Sequence, residues 1–226
     1  MNDAAQRASA LEETLDGIGD RLREERVRSG MSQRELARRL GLSASMISQI
    51  ESGMSKPSVG TLYAIVTELD LSLDRVIRGE EFTDRDHPGP PTEPSSNPLV
   101  HPEDRQVIEL ASGVRWEELS AGSEQDVDFL HATYEVGGAS TPDQSLMRHH
   151  GREYGYVMSG TLGIQIGFEE YELNPGDSIA FDSTLPHRLF NKCDQPVHAI
   201  WFVVGRDADD RVHDSGTLGP DGAVTG

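Results

Sequence analysis

Three stretches of this 226-residue chain carry side chains whose types and spacing could do chemistry. In "HHGREYGYVMSG", His149 and Glu153 stand four residues apart and Gly160 closes the segment. In "PGDSIAFDSTLPHRLFN", Gly176-Asp177 leads to Pro186-His187 and Asn191. Imidazoles and carboxylates are metal ligands and proton carriers. They can equally be ordinary polar residues at the mouth of a fold, with Glu153 bonded to Arg148 or Arg152. The third stretch, "SQRELARRLGLSASMISQIESG", is rich in serine, small residues and one pair of glutamines, groups that hydrogen-bond to bases and phosphates.

The elements that must position these groups differ between the two halves. From Arg105 onward short apolar-alternating runs are separated by Gly/Pro turns. They predict strands at Gln106–Leu110, Val114–Leu119, Phe129–Val136, Glu153–Met158, Leu162–Ile166, Tyr171–Leu173, Ser178–Phe181, His187–Asn191 and Val197–Val204. Many short, evenly spaced strands predict a small antiparallel sandwich or barrel. Period-two alternation puts His150 on the opposite face from His149. Tyr154 or Tyr156, with Phe181 and Trp201, is expected to line the barrel. His131 and His198 are read as structural, and Cys193 is too isolated to be given a chemistry.

The first half has helical periodicity. A first helix is expected from Leu15 to Ser29, with Ile18 and Leu22 on its inner face and Gly30 ending it. Ser32 and Glu35 form a capping box for a second helix bearing Leu36, Ala37 and Leu40. Gly41 suits the left-handed turn position, and Ser43 caps a third helix with Ile47 and Ile50 inward. Ser58 opens a fourth (Val59, Leu62, Ile65, Val66, Leu69) and Ser72 a fifth (Leu73, Val76, Ile77). At 100° per residue the third helix turns Ser45, Ser48, Gln49 and Ser52 outward, with Ala44 at its edge. Such a face suits a major groove. Ser55 and Lys56, in the following loop, are expected phosphate contacts.

The ordered set of cap, Ala37, Gly41, cap, Ile47 and Glu51 resembles the helix-turn-helix of phage-repressor-like (XRE-family) regulators over residues 16–78. That resemblance implies a five-helix, lambda-repressor-like all-α head. It implies Ala44, Ser45, Ser48 and Gln49 at base-facing positions, Gln33 anchoring to the DNA backbone, and a buried Arg26–Glu51 ion pair. The two histidine-bearing segments resemble the paired motifs of the cupin family over about 105–204, implying an all-β small jelly-roll barrel. The first cupin histidine position is Met147 here. The resemblance then leaves His149, Glu153 and His187 as a three-residue metal set, suited to Fe, Mn, Ni or Zn.

The charge is −19, from 20 Lys+Arg and 39 Asp+Glu, which at first opposes DNA binding. Residues 1–79, however, hold 11 basic and 12 acidic groups, and residues 80–226 hold 9 and 27. Within 17–60 the balance is 8 to 5 in favour of base. The head is therefore free of the acid burden. A single cysteine excludes an intrachain disulfide and a Cys-based zinc site. No apolar run suits a membrane span or a signal segment, so a cytoplasmic protein is expected. Six prolines between Pro88 and Pro102 mark a linker, which argues against a rigid lever.

The organisation expected is a flexible N-terminus (1–14), a helix-turn-helix domain (15–79), a Pro-rich linker (80–102), a cupin domain (103–205) and an acidic tail (206–226). The expected function is that of a homodimeric regulator, dimerised through its cupin. It reads double-stranded operator DNA and senses a small effector, a divalent metal, or both. An alternative is a mononuclear non-haem iron enzyme like the helix-turn-helix/cupin epoxidase of phosphonate antibiotic synthesis, using His149, Glu153 and His187. That enzyme draws a lysine from its helical domain, where this chain aligns Gly30, so the chain is read as a regulator and not an enzyme.

Overall fold

The computed structural model describes residues 17–71, 73–78, 98–121 and 127–205. The expected N-terminal arm, the Ser72 cap, most of the Pro-rich segment and the acidic tail lie outside these residues.

Helix α1 is described over residues 17–28. Four helices have both ends described: α2 (Gln33–Leu40), α3 (Ala44–Glu51), α4 (Val59–Glu68) and α5 (Leu73–Arg78). The local chemistry explains the breaks. Ser32, Ser43 and Ser58 each accept a hydrogen bond from the backbone N–H three residues on, which satisfies one orphan donor at each helix start. Gly30 and Gly41 both take φ +68°, the left-handed conformation that ends α1 and α2 without a Cβ penalty. The capping box is only half made. Glu35 turns its carboxylate to Arg38 and Arg39 instead of back to Ser32. Leu22, Leu36, Ile47, Leu62, Ile65 and Leu73 fill the head's core. Arg21 donates to the carbonyls of Val76 and Ile77 at 2.7 and 2.6 Å, tying α1 to the end of α5.

A 3₁₀ turn at Pro102–Asp104 leads into nine strands among the described residues: β1 (Val107–Leu110), β2 (Val114–Glu118), β3 (Val127–Tyr134), β4 (Arg152–Ser159), β5 (Leu162–Ile166), β6 (Glu169–Leu173), β7 (Ser178–Asp182), β8 (His187–Asn191) and β9 (Val197–Val204). They form an antiparallel six-stranded sheet, β1-β2-β3-β9-β4-β7, and a three-stranded sheet, β6-β5-β8. Leu130, Ala132, Val157, Ile164, Leu189, Ala199 and Val203 lie in the barrel's buried core.

One expectation about the lining is corrected. Tyr154 and Tyr156 are exposed, because alternation on β4 is set by inward-facing Glu153, Gly155 and Val157. Phe181 and Trp201 are buried as expected. Gly155 is required: a Cβ there would lie 2.0 Å from the Trp201 ring, directly across the β4–β9 register.

The head does not hang from its linker alone. It rests on the barrel through the start of α4. Ala111 N–H donates to Pro57 O at 2.9 Å and Gly60 N–H to Ser140 O at 3.1 Å. Among the described residues no helix is long and apolar enough to cross a membrane.

Candidate metal centre and DNA-reading helix

Glu153 enters the barrel from β4 and His187 from the first position of β8. His149 comes from the segment before β4, whose backbone is held by His149 N–H to Ser183 O and Ser183 N–H to Gly151 O, both 3.0 Å. All three side chains are buried. Their ligand-capable atoms lie within 4.8 Å of one another. Both Nε2 atoms stand 3.0 Å from Glu153 Oε1.

The hydrogen bonds around this cluster determine its chemistry. His149 donates from Nδ1 to His150 O at 3.0 Å, and His187 from Nδ1 to Leu185 O at 2.8 Å. Trp201 donates from Nε1 to Glu153 Oε2 at 2.7 Å. Every outward-facing polar atom is thus engaged. The three convergent atoms, His149 Nε2, His187 Nε2 and Glu153 Oε1, are in contact yet have no aligned hydrogen bond. With Nδ1 acting as donor, Nε2 is the nitrogen of each ring left to ligate a metal. Buried polar atoms left in this state are costly, and a cation at their meeting point satisfies all three. The residues present therefore fit a divalent metal. His150 is exposed and contributes only its carbonyl.

The electrostatics agree. Burial opposes ionisation of Glu153, but the two imidazoles outweigh it and hold its pKa down to about 2. Burial also works against protonation of His187, yet the Glu153 carboxylate overrides it and raises the His187 pKa above 6.5. Met147 is buried beside the cluster without replacing the absent imidazole. Its backbone pairs with His187 in a short antiparallel bridge.

On the head, α3 presents Ser45 and Gln49 exposed, with Ala44 and Ser48 half-buried. Ile47 and Ile50 face the core. In the loop that follows, Ser55 is half-buried and Lys56 exposed. Behind α3, Arg26 grips Glu51 with two hydrogen bonds, Nε to Oε1 at 2.5 Å and Nη2 to Oε2 at 2.9 Å. Gln33, half-buried, also donates to Glu51 Oε2, at 2.8 Å. Arg38 and Arg39 are drawn into ion pairs with Glu35 and, for Arg39, Glu68.

Three residues escaped the sequence reading. Met46, 43% exposed, shares the outer face of α3 and adds an apolar group of the kind that meets a thymine methyl. Trp201 was expected only as lining, not as the partner of Glu153. Tyr63 of α4 is buried and stacks on His149. Its signal was an aromatic one step off an aliphatic stripe, which widens the buried face of α4 toward a second neighbour. His131 and His198 stack on each other on the outer sheet face, away from the cluster.

Comparison with known proteins places both halves. A helix-turn-helix family profile (HTH_3) matches residues 22–76, and a cupin-domain profile (Cupin_2) matches residues 130–203. The HTH-type transcriptional regulator PuuR of Escherichia coli K12 is 31% identical over 175 residues, covering 76% of this chain and 86% of that protein. The HTH-type transcriptional regulator SutR of the same organism is 25% identical over 177 residues, covering 78% and 88%. The crystal structure of an HTH_3 family transcriptional regulator from Vibrio cholerae covers 85% of this chain and 97% of its own, with TM-score 0.58 at 20% identity, a likeness of fold. The chain belongs to the XRE-type family of helix-turn-helix transcriptional regulators that carry a cupin domain.

Proposed function

We propose that this protein is a sequence-specific regulator whose five-helix head reads operator DNA through α3 and whose cupin holds a divalent metal, alone or with a small effector. The observation that carries the DNA reading is the outer face of α3: Ser45, Met46 and Gln49 exposed, on a helix fixed from behind by the buried Arg26–Glu51 pair. Ala44 and Ser48 complete the base-facing set. Ser55 and Lys56 meet phosphate. Gln33, whose amide also steadies Glu51, anchors to the DNA backbone.

One head reads one half-site, so the working species is a homodimer on half-sites about 34 Å apart, one helical turn. The barrel is the dimerising part. The outer face of its larger sheet exposes Tyr154, Tyr156 and Met158 beside the stacked Phe129–Phe202 pair. In the metal reading His149, Glu153 and His187 hold Fe, Mn, Ni or Zn. Three ligands leave coordination positions for water or an effector.

Selection of bound sequences from a random DNA pool tests the first claim. The parent is expected to enrich one two-fold-related motif, and the Ser45→Ala/Gln49→Ala variant is expected to enrich none while keeping its melting temperature. An unchanged motif from the variant overturns the assignment of α3. Elemental analysis of the purified protein and of His187→Ala tests the second claim. Stoichiometric metal in the parent and none in the variant is the expected result.

A further inference from the structure

The contact between head and barrel is made at the metal cluster itself. Tyr63 of α4 is 3% exposed and lies flat on the His149 ring, with centroids 4.1 Å apart and planes 12° from parallel. It also meets Trp116 of β2, edge-on at 5.8 Å. Two rows of packing thus orient the two imidazoles. The barrel supplies Phe181 to His187, edge-on at 5.1 Å. The head supplies Tyr63 to His149. The tilt of His149 is set by its Nδ1–H bond to His150 O, its 3.0 Å contact with Glu153, the edge of His187 and, from the head, the face of Tyr63.

The surrounding seam is tight. A Cβ at Gly60 would lie 2.9 Å from Thr141 Cγ2 and 3.3 Å from Met147 Cβ. Gly60 N–H bonds Ser140 O, and Pro57 O accepts from Ala111. Residues 57–63 lie between the DNA-reading α3 and the body of α4, so motion at this seam displaces the reading helix directly, without passing through the Pro-rich segment.

We propose that Tyr63 is a positioning residue of the barrel's metal cluster supplied by the DNA-reading head, so that filling the cluster and seating the head on the barrel are one coupled equilibrium. This rests on the reading of His149, Glu153 and His187 as metal ligands. An ion fixes the His149 ring in the plane that Tyr63 covers, so the ion favours the seated head. By linkage the seated head favours the ion by the same factor. Unseating exposes the Tyr63 and Trp116 rings and frees Ser140 O, and the ion must oppose that opening.

Cobalt(II) alone is the probe, its visible absorption reporting occupancy and its effect on the full-length chain read by amide hydrogen exchange across residues 57–63. In the parent, cobalt is expected to slow exchange there by about 5–150-fold, the usual range of coupling between sites. Tyr63→Phe keeps the stacked ring and should retain the cobalt-dependent slowing of exchange. Tyr63→Leu should bind cobalt more weakly by a similar factor and lose the added protection. Gly60→Leu wedges the seam from outside the head's core and should do the same, which covers the case in which Tyr63→Leu destabilises the head itself. Cobalt binding to the parent with unchanged exchange over 57–63 overturns the proposal, as does parent-like protection in both Leu variants. If the parent binds no cobalt, the metal reading falls and takes this coupling with it, an outcome distinct from binding without protection.

Discussion

Trp201 and Glu153, diagonal neighbours on the paired strands β9 and β4, are joined by a 2.7 Å hydrogen bond from the indole Nε1 to Oε2, both side chains buried. The bond fixes which oxygen of the carboxylate faces His149 and His187. Gly155 makes room for the indole, so a residue without a side chain sets the aim of one two positions earlier.

Trp201→Phe is therefore expected to keep the barrel and weaken metal binding by about 10–100-fold, the usual cost of losing a group that orients a ligand. Competition titration against a chelator measures it. Parent-like affinity would show that Glu153 is aimed by its backbone alone.

Arg26 and Glu51 are both buried, and their two-pronged contact ties α1 to α3. Removing one partner strands the other charge. Arg26→Ala should cost about 3–5 kcal/mol of head stability in chemical denaturation. Arg26→Met with Glu51→Leu, which removes both charges, should cost much less. Gln33→Ala removes the third contact to Glu51 and should cost about 1.5–3 kcal/mol, as for a hydrogen bond to a charged group.

The reading helix separates specific from general affinity. Gln49→Ala should lose about 1–3 kcal/mol on the selected operator and almost nothing on random DNA. Lys56→Ala should weaken both equally and reduce the salt slope by about 1. Met46→Ala should relax preference at one thymine-bearing position. Binding curves at several salt concentrations distinguish these three patterns.

The raised pKa of His187 gives the pH dependence its sign. Without metal, the protonated ring beside Glu153 contributes stability fully present below about pH 6.5, the unfolded value. That contribution is lost as pH rises through the higher folded value. Metal must displace that proton, so apparent metal affinity should rise with pH through the same window and level off above it. Proton release on binding, measured calorimetrically in buffers of different ionisation enthalpy, checks this.

Much of the architecture is written locally. Leu162–Ile166, His187–Asn191 and Val197–Val204 have the bounds that alternation and turn residues predict, because side-chain period two and Gly/Pro punctuation are short-range signals. The three serine caps are legible for the same reason. The face of a strand is less so. Tyr154 looks inward by hydrophobicity, but the phase of β4 is fixed by Glu153, a buried carboxylate whose burial depends on partners 34 and 48 residues away, His187 and Trp201. Tyr63 is harder still. Nothing within α4 states that its neighbour is an imidazole from another layer, since that contact exists only after both halves have folded.

Met147 occupies the position at which the cupin resemblance would place a fourth ligand. Its main chain still pairs with His187 in both directions, at 2.9 and 2.8 Å. Its side chain packs under Gly60, with the sulfur 3.7 Å from where a Cβ would sit. A histidine here would put a polar ring beneath the first turn of α4. Position 147 can thus complete a coordination shell or floor an apolar joint, and in this chain it does the second. The missing ligand is in that sense a bearing surface: where a further imidazole would stand, the barrel offers the helical domain an apolar seat.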